Sequence, residues 1–300
     1  MFVIVLNQSN IIPDGLNNKL QYNFPNSVNL TNKYIAISSI SLYYSWFNIT
    51  QTASNNYFTF TWTSGAVTTT YTVIIPDGFY EITTINDYIQ FFCIQNGLYW
   101  TVGARNYYPI EFILNASRYA VQLNTYYIPT VAPVGAVLPT NFAGFPSVAQ
   151  NSVVTTPANF NVIIGFVSSF VSSANIGNPS IPYNPNSEVN KDGAGTYSYL
   201  STTAPQVQPN NNVLFAMSNI ASPYSSPNNI IYSLNPNVNV GQQIFEVPPN
   251  FAWVKLIDGT YNNLRLSLLN NQLKDLVIND PNMTFLLVIR DANEAMLAIK

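Results

Sequence analysis

The groups that carry most enzyme chemistry are scarce in this chain. It holds 13 Asp and Glu, 10 Lys and Arg, one Cys and no His. Without imidazole there is no Ser-His-Asp or Cys-His relay, no His-ligated zinc and no acid/base group whose ordinary pKa lies near neutrality. The single thiol, Cys93, excludes disulfides within the chain and a four-thiolate metal site. Carboxylates remain, with close pairs at Asp77 and Glu81, Glu188 and Asp192, and Asp291 and Glu294. A glycosidase needs two carboxylates facing each other about 5 to 10 Å apart in a cleft. Strand pairing offers such a meeting, for instance of Glu111 with Glu246, but the expectation is surface or turn carboxylates. No Gly-rich phosphate loop occurs. No catalytic, cofactor-binding or metal-ligating residue is therefore assigned.

Those residues would have to be positioned by strands. Short alternating runs bounded by Asn, Pro, Gly and Ser dominate the chain, the pattern of an all-β sandwich or barrel. Phe58, Phe60 and Trp62 form one aromatic face while Thr59, Thr61 and Thr63 form the other. The same period of two runs through Ile110, Phe112 and Leu114, through Val121 and Leu123, through Val213, Phe215 and Met217, through Leu264, Leu266 and Leu268, and through Phe285, Leu287 and Ile289. From Tyr34 to Ile49 both faces are apolar or small, as expected of a strand covered on both sides or at a subunit contact. Pro13-Asp14-Gly15, Pro76-Asp77-Gly78 and Asp258-Gly259 read as turns, because Pro presets φ, Asp bonds turn backbone and Gly accepts positive φ. A calcium loop would need further oxygen ligands at fixed spacing, and none follow.

One segment breaks that period. Ile82, Ile85, Ile89 and Phe92 fall at helical spacing, Thr84 with Asp87 suggests a capping box, and Gly97 supplies a left-handed terminator. The expectation is one short helix from about Thr84 to Asn96, with Cys93 as a small core hydrophobe beside its apolar stripe. Asp291 with Glu294 suggests a final helical turn. No charged residue occurs from Tyr119 to Ser187 or from Gly193 to Phe245, and Pro, Asn, Ser and Gly are dense from Pro129 to Pro209. That stretch still contains short β-like runs such as Phe160 to Val167. It reads as folded loops or an inserted subdomain within a single β domain.

The balance of charge also narrows the partners. A net charge of −3 and a sequence pI near 4.8 argue against direct nucleic-acid binding, which takes clustered Lys and Arg. Disorder does not fit a chain that is 47% hydrophobic and 14% aromatic. No run reaches the roughly 20 apolar residues of a membrane-spanning helix, and Phe2 to Leu6 is too short for a signal peptide. A soluble chain without a secretory signal is expected, in which the Asn-x-Ser/Thr triplets at Asn7, Asn29, Asn48, Asn115 and Asn282 arise by chance. Charged residues make up only 8% of the chain, against about 25% in ordinary proteins. Desolvated subunit interfaces are depleted in charge at their centres and enriched in aromatics, so long uncharged stretches suit a protein packed against neighbours.

Several segments, taken in order, resemble the penton, or minor capsid, proteins of virophages and Polinton-like viruses. They are the strand Lys33 to Ser45 with Trp46-Phe47-Asn48-Ile49, the strand Tyr57 to Trp62, Ile75-Pro76-Asp77-Gly78-Phe79-Tyr80, and the helix with Ile85-Asn86-Asp87-Tyr88-Ile89. Ile110 to Leu114, Tyr119 to Leu123 and Ile163-Ile164-Gly165-Phe166 follow. The C-terminal part adds Val213 to Ile220, Trp253, Asp258-Gly259, Leu264 to Leu268 and Asp280-Pro281-Asn282 before Phe285 to Arg290. The resemblance implies an all-β single jelly roll of two four-stranded antiparallel sheets, assembled as a homopentamer at the fivefold vertices of an icosahedral capsid. The implied partner is a major capsid protein of the double jelly-roll type, and the implied location is the virion. No catalytic, cofactor or metal residue comes with it. The expected organisation is a first jelly-roll part over 1–127, an insertion or long loops over 128–205 and a second jelly-roll part over 206–300. A carbohydrate- or receptor-binding jelly-roll module, with an exposed aromatic platform, is the alternative. A β-sandwich hydrolase would instead need two facing acids in a deep cleft.

Overall fold

The computed structural model describes residues 1–166, 169–172, 197–207, 212–222 and 225–292. The chain opens with three strands, β1 (Phe2–Asn7), β2 (Lys19–Asn29) and β3 (Lys33–Tyr43). A long middle passage carries β4 (Tyr57–Ser64), β5 (Val67–Ile74), α1 (Ile82–Gln95), β6 (Trp100–Val102), β7 (Arg105–Tyr107), β8 (Ile110–Asn115) and β9 (Ala120–Thr125). It continues with β10 (Tyr127–Ile128), β11 (Ala136–Val137), β12 (Gln150–Asn151), β13 (Val154–Thr156), α2 (Ala158–Ile164), β14 (Phe170–Val171) and β15 (Tyr197–Leu200). Six strands follow: β16 (Val213–Met217), β17 (Ile230–Leu234), β18 (Gln243–Glu246), β19 (Val254–Lys255), β20 (Thr260–Leu269) and β21 (Thr284–Asp291).

The chain divides into two compact units, one of Met1–Trp46 with Asn210–Lys300 and one of Phe47–Pro209. In the first, two antiparallel sheets run β1-β21-β3-β18 and β17-β16-β20-β2, with β19 adding to β3 beyond β18. Setting β19 aside, the first strand of this unit pairs with its last, the second with its next to last, and so on inward. That is a long hairpin wrapped round a sandwich, a single jelly roll. Alternation drives it. Ile35, Ile37, Ile40, Phe285, Leu287 and Ile289 turn one face of the β3–β21 ladder inward, where all are buried. Phe215 on β16 meets Phe285 edge to face at 5.6 Å, joining the two sheets. Each fully buried side chain of this size contributes about 1.5 to 3 kcal/mol relative to exposure. The strand expected from Tyr34 to Ile49 ends at Tyr43, although Tyr44 and Trp46 beyond it stay buried with ring centroids 4.2 Å apart.

The second unit is inserted in the chain between β3 and β16. It holds a four-stranded sheet β14-β13-β4-β5, three-stranded sheets β15-β9-β8 and β11-β6-β7, and the pair β10-β12. Phe58, Phe112 and Phe160 form its aromatic centre, with centroid separations of 5.5 to 6.4 Å. Asn48 closes its neck. Its side chain donates to the carbonyls of Tyr80 and Val207 and accepts from the Tyr80 N–H, so the entering and leaving chain are held together. The inserted unit is wider than the expected 128–205, because 47–127 belongs to it as well. Alternation in β4 or β8 is the same whichever sheet the strand joins, so the period of two does not reveal membership.

Among the described residues, two α-helices occur where one was expected. α1 starts two residues before Thr84, whose hydroxyl bonds back to the Glu81 carbonyl at 2.9 Å instead of capping the helix. α2 covers most of the run expected to be β-like, Phe160 to Val167, and ends at Gly165 with φ of 77°. Short apolar runs fit either period, and the glycine terminator was the signal that favoured a helix. Of the final turn expected from Asp291 and Glu294, Asp291 closes β21 and pairs with Lys33, while Glu294 lies outside the described residues.

Gly97 ends α1 with φ of 65°, and a Cβ there would sit 2.0 Å from the Asn141 carbonyl oxygen. Gly15 has φ of 81° with open space around it. Gly97→Ala is expected to destabilise by more than about 2 kcal/mol and Gly15→Ala by only about 1 to 2 kcal/mol, read as shifts of urea denaturation midpoints.

Candidate functional site

The acids are placed for turns and caps. The Asp77 carboxylate accepts the Gln51 N–H at 2.7 Å, and Glu81 offers its main-chain carbonyl to the start of α1. In the first Pro-Asp-Gly turn, Asp14 accepts the Leu16 N–H at 3.0 Å, and Lys19 bridges Asp14 and Asp275 at 3.2 and 2.8 Å. Asp258 accepts the Asn32 N–H at 2.8 Å and pairs with Lys255 at 3.1 Å. These bonds hold the carboxyls of Asp14 and Asp258 below the usual Asp range, through the Leu16 and Asn32 N–H groups first and the lysines second. Glu188 and Asp192 lie outside the described residues. No group of three His, Cys, Asp or Glu able to hold a metal occurs among the described residues.

Glu111 and Glu246 belong to different units, and each has its own surroundings. Glu246 accepts from the Tyr232 hydroxyl at 3.5 Å in the jelly roll. Glu111 is buried on the β15-β9-β8 sheet and accepts from the Tyr126 hydroxyl and from Asn124 Nδ2 at 3.2 Å. Asn124 Oδ1 accepts from Gln122 and Ser198 at 2.8 and 2.7 Å, and Asn115 donates to Gln122 at 3.0 Å. Strand β9 thus has both faces buried, Val121 and Leu123 in the core and Gln122 and Asn124 in this amide chain. Such a network is stable only when its members are satisfied, which is the structural use of the polar residues alternating along β9. Sequence reasoning marked Glu111 but not its partners, because Gln122, Asn124 and Tyr126 look like ordinary outward-facing strand residues.

Cys93 is fully buried on α1, and burial pushes its thiol far above the ordinary range. Asn48 and Asn115, two of the Asn-x-Ser/Thr positions, are also buried. Tyr119 and Phe245 are exposed, but the Trp side chains pack against the protein. Trp46, Trp62 and Trp100 are buried, Trp62 donating to the Gly144 carbonyl at 2.9 Å. Trp253 is half-buried beneath the Arg290 guanidinium, 3.9 Å from its ring centre. No Trp among the described residues is available for an exposed sugar-stacking platform. An open hollow of about 560 Å³ crosses one end of the β1-β21-β3-β18 sheet and is lined by uncharged residues, among them Asn7, Ser41, Tyr43, Gln243 and Thr284. It contains no carboxylate.

What the jelly roll does expose is strand edge. Native edges are commonly blunted by Lys, Pro, bulges or covering segments. The β2 edge is blunted, with Lys19, Pro25, a register shift between Asn23 and Val28, and Ile11 bridged to Leu20. The β18 edge is four residues long, ends in Glu246 and is followed by Pro248 and Pro249. Strand β1, Phe-Val-Ile-Val-Leu-Asn, carries no charge, proline or bulge; β17, Ile-Ile-Tyr-Ser-Leu, carries no charge or proline, and its register against β16 shifts between Phe215 and Ala216. Val3 and Val5 on β1 are 55% and 46% exposed, and Phe245 on β18 is 68% exposed. Exposed apolar patches of this kind mark interaction surfaces.

No protein-family model matches the chain. No curated protein matches its sequence significantly. Among solved structures, the chain is similar to the mavirus penton protein, with a TM-score of 0.42 and 8% identity over 96% of each chain. It is also similar to a chain of the Sputnik virophage structure determined by cryo-EM, with a TM-score of 0.39 and 11% identity over 98% of this chain and 99% of that one. The jelly roll itself is defined by the strand order described above.

Cys93 is expected to stay unmodified by a disulfide-exchange reagent in native protein and to react stoichiometrically in urea; rapid reaction in buffer would contradict its burial. The depressed carboxyls of Asp14 and Asp258 contribute stability that is present above their ordinary pKa of 3.8 and is lost as pH falls through the lower folded value. With no His to titrate, the denaturation midpoint should be flat from about pH 5.5 to 8 and fall only below about pH 4.

Proposed function

We propose that this chain is a structural capsid protein without catalytic activity, the penton subunit that forms homopentamers at the fivefold vertices of an icosahedral virion. The observation that carries the reading is the jelly roll with two sheet edges, β1 and β17, that carry no charge or proline to keep other strands away. A monomer with such edges invites aggregation, whereas a subunit closed into a ring covers them with its neighbours. The ordered segments that resemble virophage and Polinton-like pentons support the same reading.

The remaining flanks would meet a major capsid protein of the double jelly-roll type. The acidic balance leaves genome contact to other components of the particle. The inserted unit, chain segment 47–209, is attached at the turn after β3, and we assign it to the outer surface of the vertex. A sugar-binding module fits less well, since three of the four Trp are core residues and the fourth is stacked under Arg290.

Negative-stain electron microscopy and native mass spectrometry of the purified chain at micromolar concentration are expected to show five-membered rings. Monomers alone across a concentration series would refute the penton reading. A glycan array is expected to show no binding, and selective capture of one glycan class would favour the module.

A further inference from the structure

We infer that copies of this chain join side to side by main-chain pairing of the free edge of β1 on one subunit with the free edge of β17 on the next, an inference that rests on the homopentamer reading. β1 pairs through all six residues with β21, and no other backbone hydrogen bond involves Phe2–Leu6 among the described residues. Among the described residues β17 pairs with β16 alone. Each strand therefore presents a row of unused N–H and C=O groups on one side, which a second strand can take up.

The choice of a second copy of the chain follows from where these two edges lie. They belong to different sheets and to opposite flanks of the sandwich. β1 lies at the flank where β2 ends the other sheet, and the two strands touch. β17 lies at the flank of β18, joined to it by the Tyr232–Glu246 bond. The companion edges on each flank, β2 and β18, are the ones that carry a charge, Lys19 and Glu246. Each flank thus pairs one uncharged edge with one charged edge. Joining unlike flanks is a heterologous contact, which repeats in one rotational sense and can close into a ring; joining β1 to β1 would be isologous and stop at a dimer. The side chains suit such a contact. Val3 and Val5 bring apolar surface from one flank and Phe245 from the other, and neither β1 nor β17 brings a charge that would have to be desolvated.

Val5→Lys and Ser233→Lys test the inference, since both side chains are exposed and neither belongs to the core. Each substitution is expected to raise the concentration of half-assembly at least about tenfold in native mass spectrometry, because a lysine on a sheet edge disfavours the approach of a second strand. Circular dichroism melts of the diluted monomers should match wild type. Mixing the two variants should yield heterodimers through the single intact combination of edges, but no rings. Rings persisting in both variants would overturn the edge pairing while leaving the penton reading in place; wild-type protein that never forms rings would overturn the penton reading itself. Loss of rings with Val5→Lys alone would show that β1 meets something other than β17. Should either variant fail to fold, hydrogen exchange of wild-type protein decides the matter. Amides of Phe2–Leu6 and Ile230–Leu234 should gain protection in rings relative to dilute monomer, and unchanged exchange in both segments would refute the pairing.

Discussion

The ladder between β3 and β21 is the constraint on which the rest of the jelly roll depends. It pairs residues 33–41 with 284–291, so strands from the two ends of the chain become the middle of one sheet. The Lys33–Asp291 ion pair at its end joins positions 258 residues apart. Closing so long a loop costs conformational entropy, but the cost grows only slowly with loop length. It is offset by the buried apolar faces of both strands. Once the ladder forms, β1 is carried to one edge by β21 and β18 to the other by β3, and the insertion must leave and re-enter the fold near its end.

That arrangement explains how an inserted unit of 163 residues, Phe47–Pro209, can be carried without disturbing the jelly roll. The unit has its own aromatic core, and Asn48 fastens its entry to its exit through the Val207 carbonyl. Part of its polar content is handled by enclosure, as in the amide chain from Asn115 to Tyr126. The jelly roll, by contrast, uses lysine and aspartate to pin its loops, at Asp14–Lys19–Asp275, Lys33–Asp291 and Lys255–Asp258. These pairs are surface features of small individual worth.

Much of the fold was legible residue by residue. The aromatic face of Phe58, Phe60 and Trp62, the inward Leu264, Leu266 and Leu268, and the helical spacing of Ile82, Ile85 and Ile89 all appear as the alternation and spacing imply. Cys93 is the core residue its position beside the helical stripe suggested. The start of α1 was less legible, because Thr84 can bond either to a helix that it caps or back to Glu81, and the choice depends on where Ile82 finds burial. The helix at Ala158–Ile164 was hidden for a related reason, since a short run rich in apolar residues satisfies a strand and a helix equally until something packs against it.

What the amino-acid sequence determined by itself was local: which side chains can be buried on one face, where turns and helix ends fall, and which chemistries lack the residues to occur. Zero His and one Cys are decided before folding begins. Only the tertiary structure decided which strands share a sheet, where the insertion begins, that Glu111 and Glu246 belong to separate units, and which edges are left open. The physical reason is that alternation has no memory of its partner. A strand buries one face equally well against any sheet that offers a complementary surface, and the partner is selected by contacts hundreds of residues away.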